Sequence, residues 1–286
     1  MSGEEGGSSR LRQTLGFLSL PVALTLFALY YFRDANPQPP IYDVQMHYNR
    51  EAWEYFSPRA VIGTLEELNV TQALVSSTPN EGTFRLQTRN RQIIVPFLSP
   101  YRSREDRETW VDDATLPGYL RQELSNQAYR GIGELHLVAG QLHKPVVRQV
   151  LELAGEQGLA INLHAEAPLV EEIFAIAPNL RVLWAHAGMT ASPEVVGALL
   201  DRFPNLATEL SHRTDIAPGG KLAPAWSALF LRHPDRFMVG SGTYTNEFWY
   251  QFRYILGHYR RWLAALPPHV AEQIAYRNAL RFFAPA

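Results

Sequence analysis

Histidines and carboxylates recur in this chain directly after short apolar runs. The stretches are Asp43-Val44-Gln45-Met46-His47, Gly133-Glu134-Leu135-His136, Asn162-Leu163-His164-Ala165-Glu166, Trp184-Ala185-His186-Ala187-Gly188 and Glu209-Leu210-Ser211-His212-Arg213. Imidazole nitrogen together with carboxylate oxygen is the donor set that zinc, manganese and iron take. One such histidine is usually a hydrogen-bonded structural residue. Several runs delivering His or Glu to one rim point instead to a metal centre, with a metal-free polar pocket as the alternative. Cysteine is absent, which excludes thiolate nucleophiles, disulfides and Cys-ligated metals. No Gly-x-Ser-x-Gly elbow, phosphate-binding Gly-x-x-x-x-Gly-Lys-Ser/Thr or His-Glu-x-x-His is present.

The elements that must position these groups follow from periodicity. Short β-branched-rich runs predict strands at 41–47, 72–77, 93–98, 132–137, 160–164, 181–186, 206–210 and 237–240. Between them, apolar residues at three- and four-residue spacing predict helices such as 145–157, 195–203 and 247–266. Eight strand–helix units in roughly 240 residues predict an α/β (β/α)8 TIM barrel. A doubly wound open sheet is the rival, but no glycine-rich loop follows the first strand. In a barrel, working side chains belong at the C-terminal strand ends, which is where the histidines fall.

The first 40 residues differ from this body. Residues 1–14 begin polar and Gly/Ser-rich and are expected to be disordered. Residues 15–33 contain an uncharged run, Leu15 to Phe32, long enough as a helix to reach across a bilayer core, with tyrosines at its end. This predicts a transmembrane helix or signal anchor, with a cleaved signal peptide as the alternative. Arg10 and Arg12 ahead of it place the barrel on the extracytoplasmic side, periplasmic or extracellular, or secreted after cleavage. The Pro-rich stretch 34–40 reads as a linker and 41–286 as the barrel domain. The 26 basic and 28 acidic residues leave a net charge of -2, which argues against a nucleic-acid partner. The partners expected are a small molecule and, through the N-terminal segment, a membrane.

The body resembles the amidohydrolase superfamily, the amidohydrolase-related barrel hydrolases and decarboxylases. The resemblance spans roughly residues 41–283 and rests on Asp43-x-Gln45-x-His47, Glu134, His164, Ala185-His186-Ala187-Gly188 and the closing Arg277-Asn278-Ala279. It departs from the family at two positions. Gln45 stands where the family has the first histidine of Asp-x-His-x-His. Gly242, in Gly240-Ser241-Gly242-Thr243-Tyr244, stands where the family has an aspartate that commonly touches the metal and takes a proton from the attacking water. The resemblance implies one divalent ion, zinc with manganese or iron as alternatives, on Glu134, His164 and His186 with His47 nearby.

Three functions follow. A metal-dependent hydrolase would replace the lost aspartate with another base, Glu209 or His212, whose segment leaves strand seven beside Gly242; a loop ion pair with Arg213 is the competing reading of both. Substrate contacts would come from Gln45, His136, Arg102, Arg213 and Tyr244. A pseudoenzyme would keep the pocket, with loop aromatics such as Trp53, Tyr101, Phe248 and Tyr250, as a ligand-binding module. A metal-free enzyme would use His164 and Glu134 as an acid–base pair. The charged segment 103–113 reads as a solvated insert after strand three, with a lid as the alternative.

Overall fold

The computed structural model describes residues 38–284. The chain divides into the units Met1–Gln38 and Pro39–Ala286, and the second is described below. The expected disordered start and the 15–33 segment lie outside the described residues, as does most of the 34–40 linker. Among the described residues no helix is long and apolar enough to cross a membrane.

Eight strands run parallel: β1 Ile41–Met46, β2 Val70–Val75, β3 Ile94–Pro96, β4 Gly131–His136, β5 Ala160–His164, β6 Arg181–Trp184, β7 Leu206–Glu209 and β8 Phe237–Met238. They pair in chain order as β1-β2-β3 and β4-β5-β6-β7-β8. Backbone bonds join the two sets. The amide of Leu98 donates to Gly131 (2.9 Å) and that of Gly133 to Leu98 (2.9 Å), linking the β3 end to β4. The amide of Val44 donates to Val239 (3.0 Å) and that of Gly242 to Gln45 (2.6 Å), bringing the β8 end back to β1. Helices follow every strand, so this is the layout of a TIM barrel.

The helices form where the sequence favours them. Pro145–Glu156 starts with proline at its first position, turns Val147, Val150 and Leu151 inward and stops before Gly158, whose φ of +61° suits glycine. Pro193–Arg202 is capped by Ser192, whose hydroxyl accepts the Val195 amide. One apolar cluster packs these helices onto the strands. A second takes one side chain from most strands, including Tyr42, Leu74, Phe97, Ala160, Leu183, Ala207 and Met238, and is sealed by Ala279 and Phe283. Such a set faces the barrel axis and fills its lower part, leaving the polar strand ends above it.

Two departures from the expected elements matter. Strict alternation along β1 would set Asp43, Gln45 and His47 on one face, but the register slips between Asp43 and Met46. Val44 shares the interior cluster with Tyr42, and Gln45, within the slip, also reaches Asn162 on β5. β6 ends two residues earlier than expected, because His186 and Ala187 turn into the left-handed region (φ 55° and 44°).

Candidate active site

Three strand ends bring Glu134, His164 and His186 together. The carboxylate oxygen Oε1 of Glu134 lies 2.7 Å from His164 Nδ1 and 3.1 Å from His186 Nε2. One donor atom from each residue falls within 4.8 Å of the others, a spacing a single cation can bridge. His47 Nε2 stands 3.5 Å from the other oxygen of Glu134, and His136 Nε2 3.8 Å from it. Burial alone would raise the Glu134 carboxyl, yet the four surrounding imidazoles hold it well below the usual carboxylate range.

Two of the rings, His186 and His47, are also held on their far side. His186 Nδ1 meets Glu209 Oε1 at 2.9 Å and the Ser211 hydroxyl at 2.8 Å. Burial opposes a charged ring there, but the Glu209 and Glu134 carboxylates overcome it and push His186 up to about 10. The same Glu209 accepts the His186 amide (2.6 Å) and the Ser211 amide (2.7 Å), which pins the left-handed turn. A non-glycine residue in that region costs on the order of 1–3 kcal/mol, so the turn needs such support. Arg213 adds to it, donating to the carbonyls of Ala187 and Ala191 (2.9 Å each) while stacking over Trp226. Just past β1, His47 Nδ1 lies 3.1 Å from the Ser76 carbonyl, which accepts its proton and orients Nε2 toward Glu134.

These contacts assign places to the expected site residues. Glu209 is fully buried behind His186 and does not line the cavity, and Arg213 likewise holds backbone and Asp215. Arg102 lines the cavity, but Asp106 and Asp113 hold its guanidinium. Gln45, His136 and Tyr244 line the cavity with the four ligand candidates and His212.

At the two family departures the structure is specific. Gln45 pairs by its amide with Asn162, and Gln45 Nε2, Asn162 Oδ1 and Asp43 Oδ2 are buried without a partner. Burial pushes Asp43 up to about 6, although its other oxygen accepts the amides of Gln45 and Ser241. At Gly242, with φ +63°, an added Cβ would collide with His212 Nε2. The imidazole from the β7 loop thus takes up the space of a side chain after β8. It packs against Tyr244 and Phe248, and its Nε2 is buried with no partner. Burial, reinforced by the charge on His186, lowers the His212 pKa.

The segment after β3 is not the plain solvated insert its composition suggests. It folds as a short helix, Asp106–Thr109, and a turn, Trp110–Asp112. Buried Trp110 donates to the His136 carbonyl (3.0 Å) and Tyr101 Oη accepts the His136 amide (3.0 Å). Arg104 and Arg107 thereby join the cavity wall. Sequence reading missed these two arginines, Ser76 and the anchoring role of Trp110; the signal available was a tryptophan inside an otherwise charged run.

The cavity measures about 720 Å³. A carboxylate and two imidazoles within coordinating distance, with His186 held on its far side by a carboxylate and His47 by a carbonyl, fit a divalent metal and match how such ligands are oriented.

Comparison with known proteins agrees with this construction. The family model described as amidohydrolase matches residues 85–284. Among solved structures, a protein of Acinetobacter baumannii assigned as a 2-pyrone-4,6-dicarboxylic acid hydrolase, with citric acid bound, has a TM-score of 0.54 at 14% identity, covering 86% of this chain and 99% of its own. A Pseudomonas putida protein with the same assignment gives 0.56 at 16%, covering 85% and 97%. The phosphotriesterase homology protein of Escherichia coli, with phosphate in its active site, gives 0.57 at 11%, covering 87% and 99%. At these identities the structures speak for the fold. No curated protein matches the chain significantly. The chain belongs to the amidohydrolase family.

Proposed function

We propose that this amidohydrolase hydrolyses a small molecule at a site where Glu134, His164 and His186 hold one divalent ion, zinc with manganese or iron as alternatives, and His47 completes the set. The observation that carries the reading is the meeting of Glu134 Oε1 with His164 Nδ1 and His186 Nε2, each within 3.1 Å. A cation held there supplies Lewis-acid polarisation of the scissile group and makes a water more acidic. The side chains do the rest. Glu134 provides negative charge, Glu209 holds His186 in one tautomer, and Ser76 does the same for His47. His212, bearing a buried unpartnered nitrogen in the space beside Gly242, takes the attacking water's proton in place of the aspartate. Water oxygen adds to the electrophilic carbon, or to phosphorus in a phosphoester, the bond to the leaving group breaks, and that proton passes to the leaving atom. His136 and Tyr244 contact the substrate; Gln45, tied to Asn162, shapes the floor.

The proposal extends to placement. Residues 15–33 anchor the chain in a membrane and 34–40 space the 41–286 barrel from it, on the extracytoplasmic side. Tight association with membranes resistant to high salt, and protease access to the barrel only from the extracytoplasmic side of the membrane, test this.

For the chemistry, the metal-loaded protein is assayed against amides, lactones and phosphoesters beside a His212→Phe variant. Turnover of one class, falling about 10²–10⁴-fold in the variant, supports the reading. One observation favours a second reading, a barrel that binds its ligand without turnover: Gln45 is engaged with Asn162 and offers no imidazole. Ligand binding with no hydrolysis across the panel would establish it.

A further inference from the structure

The wall of the cavity also carries a charge pattern that metal chemistry does not use. Arg50, in the turn after β1, and Arg104 and Arg107, in the insert after β3, all line it. None of the three makes an ion pair among the described residues, whereas neighbouring Arg102 is held by Asp106 and Asp113. Arg50 leans on the Trp53 ring. The insert is fixed in place by Trp110 and Tyr101, which clasp the backbone of His136, and the charge of Arg107 is felt at both Tyr101 and His136. The His136 ring in turn stacks on His164 at 4.2 Å between centroids. The charge of Arg107 therefore reaches His136, which itself touches the ligand cluster through His164. Two exposed carboxylates share this rim: Glu51, and Glu105, which is hydrogen-bonded to Ser103 and its own amide and feels the charge of Arg104 without forming an ion pair with it.

We infer that the substrate is an organic acid whose carboxylate is gripped by Arg107 and Arg104 while its scissile bond lies at Glu134, His164 and His186. This rests on the hydrolase reading for the scissile end only. A guanidinium matches a carboxylate with two parallel N–H donors, which fixes orientation as well as adding affinity. The cavity of about 720 Å³ accommodates a small acid long enough to span the two ends.

The test is calorimetric binding to the full chain after its metal has been stripped by EDTA and the chelator dialysed away, so that a carboxylate has no ion to coordinate. The probes are a panel of mono-, di- and tricarboxylic acids including glutarate and citrate, the neutral diamide glutaramide, and inorganic phosphate. Saturable binding of acids but not of the diamide is expected. Arg104→Gln/Arg107→Gln should weaken it by roughly tenfold to a hundredfold. Arg253→Gln, a surface arginine paired with Glu67 away from the cavity, should change it less than about twofold. The far-UV circular dichroism of both variants is compared with the parent to exclude misfolding. Absence of acid binding, equal binding of acid and diamide, preference for phosphate over every acid, or indifference to the double variant would each overturn the inference. Failure of the hydrolase reading shows separately, as missing metal or missing turnover, and leaves this binding experiment unaffected.

Discussion

His212 and Gly242 share one volume: the imidazole from the β7 loop lies where any side chain at 242 would begin. Both residues have positive φ, 62° and 63°, so the arrangement strains the histidine and suits the glycine. The position after β8 lacks a side chain because the neighbouring loop already supplies one.

Gly242→Asp should therefore destabilise the protein by about 1–3 kcal/mol, through overpacking and a strained φ. His212→Gly removes the obstructing ring, and combining the two changes should recover most of the loss. Chemical denaturation of both single variants and the double variant measures the coupling. Losses that simply add would contradict the shared volume.

Glu209→Gln keeps the shape of the buried side chain but removes the charge that fixes His186. Loss of such an orienting partner typically costs 10–100-fold in metal affinity. Competition with a chelator of known affinity reads the change. An unaltered affinity would mean that Glu209 only supports the turn.

Metal binding should release protons. In the metal-free site His186 titrates at about 10, so at neutral pH its ring carries a proton that an ion must displace. Affinity accordingly falls as pH falls, by about tenfold per unit for one proton, and levels off above about pH 10. Calorimetry in buffers of different ionisation heat counts the protons released; a count of zero would remove His186 from the ligand set.

Much of this was legible in the residues. Strand positions followed from β-branched runs, and placement of Glu134, His164 and His186 at the rim followed from the barrel rule. Partnership was harder to read. Glu209 and Arg213 carry the residue types of a base and an anion binder, but their burial behind β6 depends on the left-handed turn at His186, which no local pattern announces. Trp110 was hidden for a different reason: its charged neighbours face water while it turns inward together with Val111. Gln45 was visible as an exception, yet its pairing with Asn162 requires the slip in β1 register.

Asp43 supplies a stability prediction. Its carboxyl is harder to ionise in the fold, at about 6, than in an unfolded chain, near 3.8. The fold thus holds the proton more tightly, the penalty is absent below about pH 4, and stability is lost as pH rises toward about 6. The difference corresponds to roughly 3 kcal/mol as an upper bound. Urea denaturation at pH 4.5 and 7 should show this loss shrink in Asp43→Asn; an identical pH dependence in the variant would contradict it.

The most direct measurement is the metal content of the purified full-length protein beside His164→Ala/His186→Ala, by plasma mass spectrometry after exposure to zinc and gel filtration. Near one equivalent in the parent and almost none in a variant with unchanged circular dichroism is the predicted result. Equal metal in both, or none in the parent, would contradict a cation site at Glu134, His164 and His186.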